Sequence, residues 1–205
     1  SPVAAVNPLD DSSRAGSIGR LAPGTRARFV SIEDRVSEVP VGEKGELLLH
    51  GPQIMKGYWK RPDATAESIT EDGFLHTGDV GYVDSDGFIY LVDRIKDLIL
   101  CSGYNVYPRE VETVIESHPA VDMAAVVSTS DPVWQEVGVA YVLPGGDLDL
   151  DDLKAFCRSK LANYKLPKRF VVLDEFPLLP IGKVDKVALK KRAADDYSPA
   201  EGALS

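Results

Sequence analysis

A change of pattern near Arg94 constrains the fold of this chain more than any other feature. Up to Asp93, short apolar runs alternate with glycine and proline. The runs over 28–32 and 45–50, bounded by such breakers, predict strands joined by turns. Asp84-Ser85-Asp86-Gly87 is a turn signal between 81–83 and 88–92, which together predict a hairpin. A single helix is expected in this part, over 61–69, where Pro62 suits a first helical turn.

Beyond Arg94, helix and strand patterns alternate. Residues 108–118 place Val111, Val114 and Ile115 on one helical face and stop before Pro119. Two apolar runs follow, 121–127 and 137–143, with a loop expected around Asp131-Pro132. Asp149 is a candidate N-cap for a helix with Leu150, Leu153, Phe156, Cys157 and Leu161 along one stripe. A short strand is expected over 170–173, and Lys183 leads into a last helix through Val187 and Leu189. Residues 1–15 are expected to be loosely ordered, and the tail from Asp195 to have little to bury. These patterns put a domain boundary between 93 and 94, giving parts 1–93 and 94–205.

Composition narrows the classes of function. A chain of 205 residues, 44% hydrophobic and 27% charged, supports a packed core. No apolar run approaches the roughly 18 residues of a membrane span, and the opening Ser1-Pro2-Val3-Ala4-Ala5 lacks the basic start of a secretion signal. The net charge of −9 is shared by both parts and repels nucleic acid and anionic lipid. Cys101 and Cys157 form neither a metal spacing nor a disulfide framework, so a reducing cytoplasm is expected. His50, His76 and His118 likewise have no ligand spacing, and no metal site is expected. The one basic cluster, Lys183, Lys186, Lys190, Lys191 and Arg192, reads as a solvated helix face whose first member alternatively acts on a phosphate or carboxylate.

Four places carry possible chemistry. Asp79, with Gly78 and Gly81 close by, has a carboxylate able to accept two hydrogen bonds from a vicinal diol. Read alone it closes a loop. Arg94 offers a planar fork of donors suited to ribose or phosphate oxygens, or else a salt bridge to Asp93 or Asp97. Ser102-Gly103-Tyr104-Asn105 is a second glycine loop, where a backbone can pass close to a ligand. Lys183, in Pro180-Ile181-Gly182-Lys183-Val184, puts an ammonium on a flexible stem, either to meet developing negative charge or simply as an exposed lysine in a turn. It is no phosphate-binding P-loop, because the Ser or Thr and the upstream glycine are lacking.

Taken together, Asp72-Gly-Phe-Leu-His-Thr-Gly-Asp79, Asp93-Arg-Ile-Lys-Asp97, Gly103-Tyr-Asn-Val-Tyr-Pro108 and Pro180-Ile-Gly-Lys-Val-Asp-Lys186 resemble the motifs of the acyl-adenylate-forming enzymes. That family comprises acyl-CoA ligases, luciferases and peptide-synthetase adenylation domains, and the resemblance covers residues 16–192. It implies an α+β fold: a small β-rich, distorted barrel-like subdomain, then a mobile mixed α/β C-terminal domain.

The resemblance also implies roles. Asp79 holds both ribose hydroxyls of ATP and of the acyl-adenylate, with Arg94 beside the same ribose. Lys96 and Asp97 fall at the hinge about which the C-terminal domain swings. Gly103, Tyr104 and Asn105 lie on the pantetheine side of CoA. Lys183 is catalytic, reaching the substrate carboxylate and the α-phosphate. Tyr58 and Trp59 match a family segment read as packing.

The family's Ser/Thr/Gly-rich phosphate loop and its acyl pocket precede these motifs. The chain therefore reads as the C-terminal part of an enzyme whose N-terminal part is its first partner and holds most of the Mg2+ site. By itself it is expected to be inactive in adenylation. The wording of the motifs is closer to fatty- and aryl-acyl-CoA ligases than to peptide synthetases. The expected reaction joins a small carboxylic acid to CoA through an acyl-AMP, using ATP and releasing pyrophosphate, with fatty acid metabolism as the setting. Alternatives are a peptide-synthetase-type adenylation fragment that loads a carrier protein, and a non-catalytic interaction module. Leu100 stands where plant-type ligases have Lys, which argues against a plant-like substrate.

Overall fold

The computed structural model describes residues 3–10 and 12–199. It divides the chain into two units, Ser1–Lys96 and Asp97–Ser205. The sequence pattern puts this boundary before Arg94. Arg94 instead completes the last strand of the first unit, where its Cα partner is Asp79, and a single 3-10 turn over Ile95–Asp97 follows.

The first unit is β-rich. A ribbon of β1 (Ala5–Val6) and β2 (Arg20–Leu21) precedes an antiparallel sheet of β3 (Arg26–Val30), β4 (Gly45–His50), β5 (Leu75–Val83) and β6 (Ile89–Arg94), in that spatial order. Helix α1 (Pro62–Ser68), with proline in its first turn, enters β5 through a short connection. Alternation along β4 buries both faces: Leu47 and Leu49 pack with Phe29 and Ile89, while Leu48 packs with Val30 and Phe74. Each such leucine contributes about 2 kcal/mol by leaving water.

Two expectations are corrected in this unit. The segment before residue 16 is tied down where it is described, by the β1–β2 pairing, by Asn7 Nδ2 donating to the Ser17 carbonyl at 2.9 Å, and by Arg14 paired to Asp84 at 2.6 Å and to Asp86. Ser1, Pro2 and Asp11 lie outside the described residues. The stretch around His76–Gly81, expected as a glycine loop ahead of a short hairpin, is instead part of one long strand. Register shifts against β4 and against β6 interrupt its pairing.

The second unit is mixed α/β. It runs β7 (Ile99–Cys101), β8 (Tyr104–Val106), α2 (Pro108–Glu116), β9 (Val121–Asp131), β10 (Gln135–Pro144), α3 (Leu150–Lys160), β11 (Arg169–Val172) and α4 (Lys186–Asp196). The sheet order is β11-β10-β7-β8, with β9 also pairing β10 antiparallel and β11 joining β10 in parallel. Side chains alternate across β10. Ala140 and Val142 face α2 and α3 through Val111, Ile115, Leu153 and Cys157, whereas Val139 and Tyr141 face α4 through Leu189 and Ala193.

The helices start where their caps require. Asp149 accepts from the Asp151 amide at 2.8 Å, and Asp185 accepts from Val187 and Ala188 at 3.0 Å each. The apolar run 121–127 grows into a longer strand because Asp131 and Gln135 still pair across a tight turn in place of the expected loop. The tail also has more to bury than its composition suggests. Tyr197, which ends α4, is buried with its hydroxyl on Asp131. Among the described residues, no helix is long and apolar enough to cross a membrane.

Candidate functional site

Asp79 and Arg94 are brought together by strand register. They are direct partners across β5 and β6, with Arg94 Nε 3.1 Å from Asp79 Oδ1. Asp79 is a quarter exposed and Arg94 is largely exposed, so the pair sits at a surface rather than in the core. Arg94 is thus not committed to Asp97. Asp93 Oδ1 accepts from the Arg94 backbone amide at 2.8 Å.

The segment that carries Asp79 is bulged. Glu46 pairs with Val80 but Leu48 pairs with His76, so β5 accommodates extra residues around Thr77, Gly78 and Asp79. Gly78 adopts φ +72°, which a side chain would strain. Three hydrogen bonds fix the bulge. The Thr77 hydroxyl donates to the Leu47 carbonyl at 2.7 Å, the Asp79 amide donates to Thr77 Oγ1 at 3.0 Å, and the Gly78 amide donates to Glu46 Oε1 at 3.1 Å.

Glu46 is the buried support of this arrangement. Its side chain is wholly inaccessible, yet it receives Arg35 through two nitrogens at 2.8 and 2.9 Å and His76 Nδ1 at 3.0 Å. With Nδ1 facing a carboxylate, the assigned proton sits on that nitrogen. Burial pushes the Glu46 carboxyl up, but hydrogen bonds from Arg35 and His76 outweigh it and hold the group below the usual carboxylate range. The sequence reading took Glu46 as part of an apolar run. The signal was there: one carboxylate inside a strand buried on both faces requires partners.

Beside this bulge lies a cavity of about 450 Å³ whose apolar lining includes Leu47, Leu49, Leu75 and Ile89. Asp79, Arg94 and His76 line it too, so apolar side chains share the cavity with a carboxylate and a guanidinium.

In the second unit, Ser102 and Gly103 form the two-residue turn between β7 and β8, with φ +47° and +82°. Positive φ at both central positions matches the twist of a tight hairpin. A Cβ added to Gly103 meets nothing within 4 Å, so the turn faces open space. Tyr104 stacks on Tyr164 at 4.7 Å between centroids, and Asn105 is the register partner of Leu100.

Next to this turn is a cavity of about 780 Å³. Trp134 and Phe170 give it aromatic walls, and Lys154, Arg158, Lys168 and Arg169 surround it with cations. Lys168 Nζ lies 4.8 Å from the Trp134 ring. The sequence analysis missed this set because its members are scattered. Lys154 and Arg158 stand one helical turn apart on α3, and Lys168 and Arg169 are consecutive where the chain enters β11, but the two pairs are separated by a loop. Burial pushes the thiol of Cys101 up and that of Cys157 up to about 11, so neither is a ready nucleophile.

Lys183 is exposed on a loop closed by the Leu179 amide donating to the Lys183 carbonyl at 2.7 Å and by a Leu178–Val184 bridge. Its ammonium has no partner among the described residues. The neighbouring cations differ: Lys186 reaches the buried Glu112 at 2.6 Å, and Arg192 pairs with Asp196 at 2.8 Å. Lys96 is exposed and Asp97 half-buried, on either side of the division between the units. Among the described residues, no three His, Cys, Asp or Glu side chains converge as a candidate metal site.

Residues 1–59 match the AMP-binding enzyme family, and residues 110–183 match the AMP-binding enzyme C-terminal domain. The chain belongs to the AMP-binding enzyme family. This AMP-binding enzyme chain is 45% identical over 193 residues to a long-chain-fatty-acid–CoA ligase of Escherichia coli O6:H1, covering 94% of the chain and 34% of that protein. It is 47% identical over 156 residues to a feruloyl-CoA synthase of an Amycolatopsis species, covering 75% of the chain and 32% of that protein. Its fold matches the ATP-bound crystal structure of MatB from Rhodopseudomonas palustris with a TM-score of 0.88 at 34% identity, over 94% of the chain and 38% of that one. O-succinylbenzoate CoA synthetase of Bacillus subtilis, in complex with its acyl-adenylate, gives 0.78 at 37% identity over 86% of the chain and 36% of that one. The chain thus spans about a third of the length of the curated relatives it matches.

Proposed function

We propose that this chain is the portion of a cytoplasmic, ATP-dependent acyl-CoA ligase that grips the nucleotide ribose, supplies the adenylation lysine and receives CoA. The observation that carries the reading is the Asp79–Arg94 pair. A carboxylate held by its register partner, on a rigid bulge beside a cavity lined partly by apolar side chains, is preorganised to accept two hydroxyl hydrogen bonds. Lys183, exposed and without an ion partner among the described residues, is available to a carboxylate and an α-phosphate as charge develops between them. Lys96 and Asp97 serve as the hinge between the two half-reactions, consistent with their place at the division of the units. Mg2+ and most of the ATP triphosphate contacts come from the N-terminal part of the same enzyme, as does the pocket for the carboxylic acid. The isolated chain does not adenylate.

Free CoA is favoured over a carrier-protein thiol by the second cavity. Four cations around Trp134, beside the Gly103 turn, match the phosphates and purine that CoA brings along with its thiol. A carrier protein presents its pantetheine arm without that nucleotide. A non-catalytic module has no use for either cavity.

The test is kinetic. In the complete enzyme, Asp79→Ala is expected to raise the KM for ATP by one to two orders of magnitude, while a dephosphorylated pantetheine thiol reacts far less well than CoA. Unchanged ATP dependence in the Asp79 variant overturns the ribose assignment. Equal use of CoA and pantetheine overturns the choice of acceptor.

A further inference from the structure

Tyr197 ends α4 and is buried. Its hydroxyl donates to Asp131 Oδ2 at 2.7 Å. The other oxygen of that carboxylate, Asp131 Oδ1, accepts from the backbone amides of Val133 and Trp134, each at 2.7 Å. Asp131 is itself buried, so three donors hold it in one orientation.

Trp134 then reaches in two directions. Its indole walls the cationic cavity, with Lys168 over the ring. Its carbonyl accepts from the Ser102 amide at 2.8 Å and from the Glu136 amide at 2.9 Å. Ser102 is the first residue of the Ser102–Gly103 turn. One carboxylate therefore links the end of the last helix to the cavity wall and to the glycine turn.

We propose that Asp131 is a positioning residue for the acyl-acceptor site: locked by Tyr197, it sets the backbone of Trp134, which in turn holds the Gly103 turn and the aromatic wall. The importance of those two features rests on the proposed CoA reading, but their geometry is testable without any ligand.

A second anchor on the same helix separates positioning from packing. The Tyr141 hydroxyl donates to Asp196 Oδ2 at 2.9 Å, tying α4 to β10 without contact to the Trp134 turn. Loss of either tyrosine hydroxyl weakens the helix, but only one of them releases Trp134.

The experiment uses the 205-residue chain with Trp59→Phe, which leaves Trp134 as its single indole. Acrylamide quenching of Trp134 and amide exchange at Ser102 are compared among this parent, Tyr197→Phe, Tyr141→Phe, Asp131→Ala and Asp131→Asn. Tyr197→Phe, which removes one buried hydrogen bond, is expected to speed Ser102 exchange about fivefold or more and to raise quenching, and Asp131→Ala, which removes all three, to do so at least as strongly. Tyr141→Phe should lower the melting temperature yet leave both readings at parental values. Asp131→Asn, whose carbonyl still accepts from the two amides while its amino group faces Tyr197, should stay near the parent.

Parental quenching and exchange in a folded Tyr197→Phe chain overturn the proposal, as do equal shifts in Tyr141→Phe. If Tyr197→Phe does not fold, equal values for Asp131→Ala and Asp131→Asn overturn it instead. CoA titration of the same proteins keeps the two readings apart. A parent that does not bind CoA counts against the CoA assignment alone. A parent that binds CoA no better than Tyr197→Phe overturns the positioning role.

Discussion

Asp79 and Arg94 are register partners across β5 and β6, and the guanidinium Nε stands 3.1 Å from one carboxylate oxygen. The guanidinium is largely exposed and the carboxylate a quarter exposed, so water reaches the pair. An exposed ion pair of this kind contributes roughly 0–1 kcal/mol to stability. Its value to the protein lies in orientation rather than in folding.

That argument separates stability from activity. Arg94→Leu and Asp79→Asn should each change the urea midpoint of the chain by less than about 1 kcal/mol equivalent. In the complete enzyme, the same substitutions should weaken ATP use at least tenfold. Equilibrium unfolding and ATP saturation curves on the same variants check both halves. A large stability loss with normal ATP kinetics would assign the pair to structure.

Glu46 gives the opposite expectation. Its carboxylate is buried, holds Arg35, His76 and the Gly78 amide, and lies below its ordinary pKa in the folded state. A depressed folded pKa means that the stabilisation is present above the unfolded value, about 4.3, and is lost as pH falls through the folded one. Glu46→Gln should therefore destabilise the first unit by about 2–4 kcal/mol at neutral pH and flatten its loss of stability in acid. Amide exchange of β4 and β5 between pH 7 and pH 3 reports this unit alone. Parallel acid profiles for the two proteins would show that Glu46 does not carry the dependence.

What could be read from the sequence was what depends on near neighbours. The apolar run of β4 and the helix behind the Asp149 cap are seen where the pattern puts them, because alternation and capping are local. Long-range partners were not visible. Tyr197 finds Asp131 66 residues away, and the Gly78 amide finds Glu46 32 residues away. The glycines near Asp79 read as a loop because a bulge and a loop use the same residues, and only the partner strand distinguishes them. The cations around Trp134 come from α3 and from the segment entering β11, so no single stretch announces the cavity.

The division between Lys96 and Asp97 supports a proteolysis prediction. If the connection is the hinge, brief trypsin treatment should cut at Arg94 or Lys96 before Arg28 in β3, Arg109 in α2 or Lys154 and Arg158 in α3, which lie within paired strand or helix. Lys96→Pro in the complete enzyme should depress one half-reaction at least tenfold more than the other, since fixing φ favours one orientation. First cleavage elsewhere, or equal loss of both half-reactions, would remove the hinge from this position.

Lys183 and Gly103 should fail in opposite steps. The lysine ammonium is exposed on its loop, suited to charge that develops while a carboxylate attacks the α-phosphate. The Gly103 turn faces open space, suited to a thiol arm that arrives later. In the complete enzyme, Lys183→Ala should slow acyl-adenylate formation by about two orders of magnitude while sparing thioester formation from preformed acyl-adenylate. Gly103→Leu should leave adenylation near normal and suppress transfer to CoA, both because a side chain strains φ +82° and because it fills the approach. Single-turnover measurement of both half-reactions decides the matter. Normal adenylation by the lysine variant, or normal transfer by the glycine variant, would mean that the roles assigned to these two residues are wrong.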